Sequence, residues 1–114
     1  MKQTSFSTQT AVFLEVLLER LESVDALDDL DMDLIDGVLT LEFPDGAQII
    51  INRQSSAKQI WLASPQGPAH FSYVETVGAV SGEWRNDRDD KGLRDTLNDV
   101  LSEKIGTKIT LTEF

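Results

Sequence analysis

The chain has no cysteine. That removes disulfides, thiol nucleophiles, and zinc or iron–sulfur sites built from thiolate ligands. Any part it plays in sulfur chemistry would be assistance and not carriage. Its single histidine, His70, has no second imidazole, cysteine or serine–base arrangement with which to form a nucleophile or a closed metal site. No glycine-rich phosphate loop or triad signature is present, nor a Glu-x-x-His pattern of a buried di-iron oxidase. The chain therefore reads as non-enzymatic. Bases are scarce: ten Lys and Arg stand against twenty Asp and Glu, a net charge of −10. Nucleic acid is a poor partner for such a chain, because phosphate binding needs a basic face. No apolar run approaches the ~18 residues of a membrane span. Met1 to Thr10 also lacks the charged, apolar and small-residue order of a signal peptide. A cytoplasmic location is expected.

With 114 residues and 40% hydrophobic content the chain suits one core, so a single domain over residues 1–114 is expected. Its charge is unevenly placed. Residues 15 to 36 hold nine acids (Glu15, Glu19, Glu22, Asp25, Asp28, Asp29, Asp31, Asp33 and Asp36) against one base, Arg20, which leaves −8 of the −10 in that segment. A chain that needed charge only for solubility would spread it more evenly.

Within that tract the period changes. From about Thr4 to Val24 the apolar residues Phe13, Leu14, Leu17, Leu21 and Val24 fall on one side of a helix, with Glu15, Glu19 and Glu22 opposite. From Asp29 to Leu34 acids alternate with apolar residues, the pattern of a strand with one wet face. The expectation is one continuous negative ridge carried by two consecutive elements. Asp36–Gly37 suits a tight hairpin turn, in which both central residues take positive φ. Further strands are predicted over Val38–Phe43, Ala47–Asn52, Lys58–Ser64, Ala69–Val74 and Glu83–Asn86, with a loop or hairpin end over Glu75–Gly82. Asp89 or Asp90 can cap a second helix, Lys91–Lys104, striped by Leu93, Leu97, Val100 and Leu101 and stopped by Gly106. Lys108–Leu111 reads as a last short strand. The fold class is α+β, with two helices on one face of an antiparallel sheet.

Several motifs have competing readings. The ridge offers only hard carboxylate oxygens, suited to iron, manganese, magnesium or calcium at shallow, weak, exchangeable sites. It could equally attract a basic protein surface, or be a solvated face. Crowded carboxylates repel, so the ridge costs stability unless a cation or partner relieves it. A calcium-loop reading of Asp29-x-Asp31-x-Asp33 fails: the sixth position is Leu34 where glycine is needed, and the twelfth is Thr40 where glutamate is needed. In Gln59–Ala63 the natural core pair is Ile60 and Leu62, which places Gln59 and Trp61 on the open face of the sheet. There Trp61 is either an anchor for a protein partner or packed flat on its cross-strand neighbours. His70 is expected to be exposed, by alternation with Phe71, and is a lesser candidate for a ligand or partner contact.

Asn52-Arg53-Gln54, followed by Gln59-Ile60-Trp61-Leu62-Ala63-Ser64 and Gly67, resembles the bacterial frataxin (CyaY) family. The likeness covers essentially the whole chain, including Glu19-Arg20-Leu21, the Asp-rich first strand, Asp36-Gly37-Val38-Leu39-Thr40 and Glu83-Trp84. It implies a frataxin-like sandwich and a small iron-binding protein that regulates, or supplies iron to, iron–sulfur cluster assembly. The implied partners are a cysteine desulfurase and a scaffold protein. It implies weak Fe(II) or Fe(III) binding at Glu19, Glu22, Asp25, Asp28, Asp29, Asp31 and Asp33, on a ridge that also meets a basic patch of the desulfurase. It implies a second protein contact at Asn52, Arg53, Gln54, Gln59 and Trp61. A monomer is implied, with metal-induced oligomers left open. Two departures stand out: Ser23 lies where many relatives carry an acid, and the stretch from Tyr73 to Gly82 is longer than the corresponding hairpin. The alternative is an acidic interaction module whose metal binding is incidental.

Overall fold

The first helix, α1 (Phe6–Glu22), begins where Ser5 Oγ accepts the Thr8 amide at 3.1 Å, and it ends at Ser23. Leu14, Leu17 and Leu21, at helical spacing, are completely buried, while Glu15, Glu19 and Glu22 face water. In the computed structural model, residues 5–75 and 83–111 are described. A single 3-10 turn, Asp25–Leu27, leads from α1 into β1 (Asp31–Ile35), β2 (Val38–Glu42), β3 (Gln48–Gln54), β4 (Gln59–Ser64), β5 (Gly67–Val74) and β6 (Glu83–Asn86), and α2 (Leu93–Ile105) follows. The six strands form one antiparallel sheet in sequence order, so β1 and β6 are its edges.

Register divides the sheet into two faces. Leu39 pairs with Ile51, Ile51 with Leu62, Ile60 with Phe71 and Leu41 with Ile49. All of these join the leucines of α1 and the Leu93, Leu97, Val100 and Leu101 stripe of α2 in one core cluster. Both helices therefore cover the same face, as the alternation predicts, and among the described residues no helix lies against the other face. Trp84 closes the β6 end of the core. Phe6 and Phe13 of α1 lie 6.1 and 6.0 Å from its ring and Tyr73 5.2 Å, at the tilted and edge-on angles that aromatic quadrupoles favour.

The Asp36–Gly37 turn is as expected, with φ of 50° and 77°. The strand boundaries agree with the periodicity to within a few residues, and β6 agrees in full. Two details differ. First, α2 starts at Leu93 with Gly92 as its N-cap, and no side chain caps it. Asp89 Oδ1 instead accepts the Lys91 amide at 2.9 Å, Asp90 sits at φ 62°, and Gly92 bridges to Arg85, so the turn from β6 uses up the residues that would have capped the helix. Second, Lys108–Leu111 is not a strand. Its backbone is bound by α2 side chains: Ser102 Oγ accepts the Ile109 amide at 2.7 Å, and Asn98 Oδ1 accepts the Leu111 amide at 2.8 Å. Ile109 and Leu111 are buried by this packing. The loop or hairpin end predicted over Glu75–Gly82 lies, over residues 76–82, outside the described residues.

One long-range ion pair fastens the helix layer to the strand turns. Lys104 Nζ, near the end of α2, contacts Asp45 Oδ2 in the β2–β3 turn. This contact, with help from the Ala47 amide, holds the Asp45 carboxyl below its ordinary value of 3.8. A lowered carboxylate pKa contributes stability above 3.8 that is lost as pH falls through the folded value. Lys104→Met is therefore expected to raise the Asp45 pKa, read by carboxyl NMR titration. Its urea midpoint should lie below that of the parent at neutral pH, and the gap should shrink in acid once Asp45 is protonated.

Candidate functional site

Two surfaces carry the residues singled out by sequence. On the first, Glu19, Glu22, Asp25, Asp28, Asp29, Asp31 and Asp33 are all exposed. Their positions follow from the leucines between them: Leu21, Leu27 and Leu30 turn into the core, so the acids that flank them are directed outward. Among the described residues none of these acids forms an ion pair, and Arg20, the one base among them, is half-buried without an acidic partner. Among the described residues the negative charge of the tract is thus left without an ion-pair partner.

The tract is not one flat ridge. In β1, Met32 and Leu34 pair with Leu41 and Leu39 on the helix side, which places Asp31 and Asp33 on the open side with Glu42 and Thr40. Glu19 and Glu22 belong to α1, which packs against β1 from the covered side. The acids therefore wrap around the β1 edge and divide between the two sides of the sheet. Among the described residues no three His, Cys, Asp or Glu side chains come together as a ready-made metal cage. What the arrangement offers is exposed hard oxygens, one or two at a time, with water completing any coordination shell. The register also adds an acid that the sequence reading missed. Glu42 lies directly opposite Asp31, a like-charge cross-strand pair on an edge. The two-residue turn at Asp36–Gly37 was the signal that could have revealed it, since it determines every pairing along this hairpin.

The second surface is the open face. Its cross-strand rows can be followed from strand to strand. One runs Ile35, Val38, Asn52, Trp61 and His70; the next runs Gln54, Gln59, Ser72 and Arg85. Asn52, Gln54, Gln59 and Trp61 are thereby brought together, as the sequence predicts. Arg53 is not among them: it pairs with Ile60 and lies on the other side, its guanidinium packed where a side chain on Gly37 would have to stand, 2.9 Å from an ideal Cβ. Strand alternation separates it from its neighbours in sequence.

Trp61 is half-buried and packed flat. His70 stacks on it at 4.4 Å between ring centroids and 29° between planes, and the indole N–H donates to Gln59 Oε1 at 2.8 Å. His70 is exposed as predicted. At the far end of the same row Ile35 is 59% exposed and Val38 37%, unusual for large aliphatic side chains and unremarked from the sequence.

A two-helix, six-strand antiparallel sandwich with this acidic edge and open face defines a class, and the chain belongs to it: it is a member of the frataxin-like domain family, matched over residues 1–107. It is 57% identical over 111 residues to the iron-sulfur cluster assembly protein CyaY of Thioalkalivibrio sulfidiphilus, spanning 97% of this chain and 100% of that one. Among solved structures it is similar to the frataxin of Psychromonas ingrahamii, with a TM-score of 0.73 and 28% identity over 92% of this chain and 93% of that one. It is also similar to the trimeric frataxin of Saccharomyces cerevisiae complexed with ferrous iron, with a TM-score of 0.70 and 33% identity over 94% of this chain and 91% of that one. No helix among the described residues is long and apolar enough to cross a membrane.

The Asp31–Glu42 pair gives this surface a measurable signature. Glu42→Gln is expected to stabilise the metal-free protein by roughly 0.2–1 kcal/mol through relief of like-charge opposition. It should also reduce the rise in thermal midpoint on adding divalent cations, both effects being read in thermal melts at low ionic strength.

Proposed function

We propose that this chain binds iron on its acidic β1 edge and acts in iron–sulfur cluster assembly, regulating or supplying iron to a complex of cysteine desulfurase and scaffold protein. The observation that carries the reading is the 57% identity to a CyaY assembly protein across the whole of that relative, so no part of the relative lacks a counterpart here. The ferrous complex of the yeast frataxin supports iron as the cargo. The exposed, unpaired carboxylates support binding that is weak and exchangeable, because rigid surface ligands cannot wrap an ion.

The proposed mechanism uses both surfaces and no covalent chemistry. The edge acids supply oxygen ligands and long-range attraction for a basic patch on the desulfurase, raising the rate and fixing the orientation of encounter. The open face around Asn52, Gln54, Gln59 and Trp61 supplies short-range contact, with the aromatic side chain as anchor. The chain acts as a single cytoplasmic domain, monomeric until metal or partner joins it.

A second reading, an acidic interaction module with incidental metal binding, is favoured by one observation: no three potential ligands converge among the described residues. Calorimetric titration with Fe(II), Ca(II) and Mg(II) separates the two. An iron carrier should prefer Fe(II) over the other two at equal charge; equal affinities would favour the module. The assembly reading is tested by desulfurase turnover with scaffold protein present, with and without this chain and iron. A change of either sign is expected. In the Glu19→Lys and Asp31→Lys double variant the effect should require roughly tenfold more protein, about 1.4 kcal/mol, with a difference that shrinks as salt is added. No effect of the parent chain on turnover would overturn the reading.

A further inference from the structure

The hydrogen bond that holds the Trp61 indole depends on the way round that one amide is placed. Gln59 can turn either its oxygen or its nitrogen toward Trp61, and only the oxygen can accept from the indole N–H. The choice is made at the other end of the same group. Gln59 Nε2 donates to Asp87 Oδ2 and, at 3.2 Å, to Ser72 Oγ. The Ser72 hydroxyl is itself committed, donating to Asp87 Oδ1 at 2.8 Å. An ionised carboxylate accepts and cannot donate, so Asp87 commits the Ser72 proton, leaves Ser72 lone pairs free for Gln59, and obliges Gln59 to present its amide nitrogen on this side.

Asp87 also acts on the other flank of Trp61. Its backbone amide donates to the His70 carbonyl at 2.9 Å, extending the β5–β6 pairing by one residue to the position whose imidazole covers the indole. We infer that Asp87, in the turn that follows β6, is the positioning residue of the open face: through Gln59 and Ser72 it sets the orientation of Trp61, and through the His70 backbone it supports the ring that stacks on it. Asp87 is separated from Trp61 by Gln59 and acts through it. A partner that reads the indole thus reads an orientation imposed from the sheet's last turn. This consequence rests on the open face being a contact surface; the positioning itself does not.

The test is two-dimensional 1H–15N NMR of the indole N–H groups in the full chain. Its two tryptophans are distinguished by a Trp61→Phe spectrum, and buried Trp84 reports whether each variant folds. In Asp87→Ala the Trp61 indole resonance should shift and its exchange with water should accelerate about tenfold, the loss expected for one hydrogen bond, while the Trp84 resonance stays in place. Gln59→Leu should produce the same change in exchange. The Asp87→Ala and Gln59→Leu double variant should go no further than Gln59→Leu alone, because groups acting in series are not additive. An unmoved Trp61 signal in Asp87→Ala, or additive effects in the double variant, would overturn the proposal. A shifted signal with unchanged affinity for scaffold and desulfurase would uphold the positioning and count against the contact role of the face.

Discussion

The pairing of Ile35 with Val38 across the Asp36–Gly37 turn is the constraint from which the exposed surfaces of this molecule take their order. Side chains alternate along a strand, so a slip of one residue would exchange the faces of the whole hairpin. The turn resists that slip because both its central residues hold positive φ, which aspartate tolerates and glycine adopts freely. From this starting pair Leu39 and Leu41 go to the core, and Asp31, Asp33, Glu42 and Thr40 go to the open side. The covered side then enforces the same register on β3, since Ile49 and Ile51 must meet the leucines of β2. The acidic edge and the Trp61 row are in this sense products of one turn and one buried face.

Most of the fold was legible because it is written in periods. The helix period in α1 and α2 and the alternation in β1 to β6 identified both layers, and Gly106 marked the end of α2 with φ 82°. What escaped was whatever depends on competition between local and distant partners. Asp89 has the chemistry of a helix cap, yet it serves a turn two residues earlier because Gly92 is drawn to the edge of β6. Ile109 and Leu111 have the alternation of a strand, yet both sheet edges lie elsewhere, and serine and asparagine side chains on α2 bind that backbone instead. Periodicity reports burial correctly in both places. It cannot say which hydrogen-bond partner wins.

The candidate site shows the same division. The exposure of all seven proposed metal-binding acids follows directly from the leucines that alternate with them. The grouping of Asn52, Gln54, Gln59 and Trp61 follows from the parity of two paired strands. Arg53 was included with them as part of the Asn52-Arg53-Gln54 motif that carries the resemblance, and parity places it on the other side. The flat packing of Trp61 depends on His70, a cross-strand neighbour nine residues away in sequence, which the local pattern of Gln59–Ala63 does not show. Asp87 carried no signal at all: it lies in a turn, has no periodic role, and reaches Gln59 only because the sheet folds β6 back beside β5.

The division of the acids around β1 bears on how the two surfaces could work together. Asp33 lies one alternation from Ile35 on the same side, so the strand acids border the row that runs through Val38, Asn52 and Trp61. Glu19 and Glu22 are on the helix side of that edge. A protein seated on the open face would therefore exclude water from around Asp31 and Asp33 and strengthen their interaction with any cation or base it brought with it, whereas the helix acids would remain in high dielectric. On the proposed reading the two halves of the tract are then unequal. On that reading the helix acids would exchange metal with solvent whether or not a partner is bound. The strand acids would be the ones whose charge a docked partner has to neutralise, and through which a docked partner and a bound cation would act on one another.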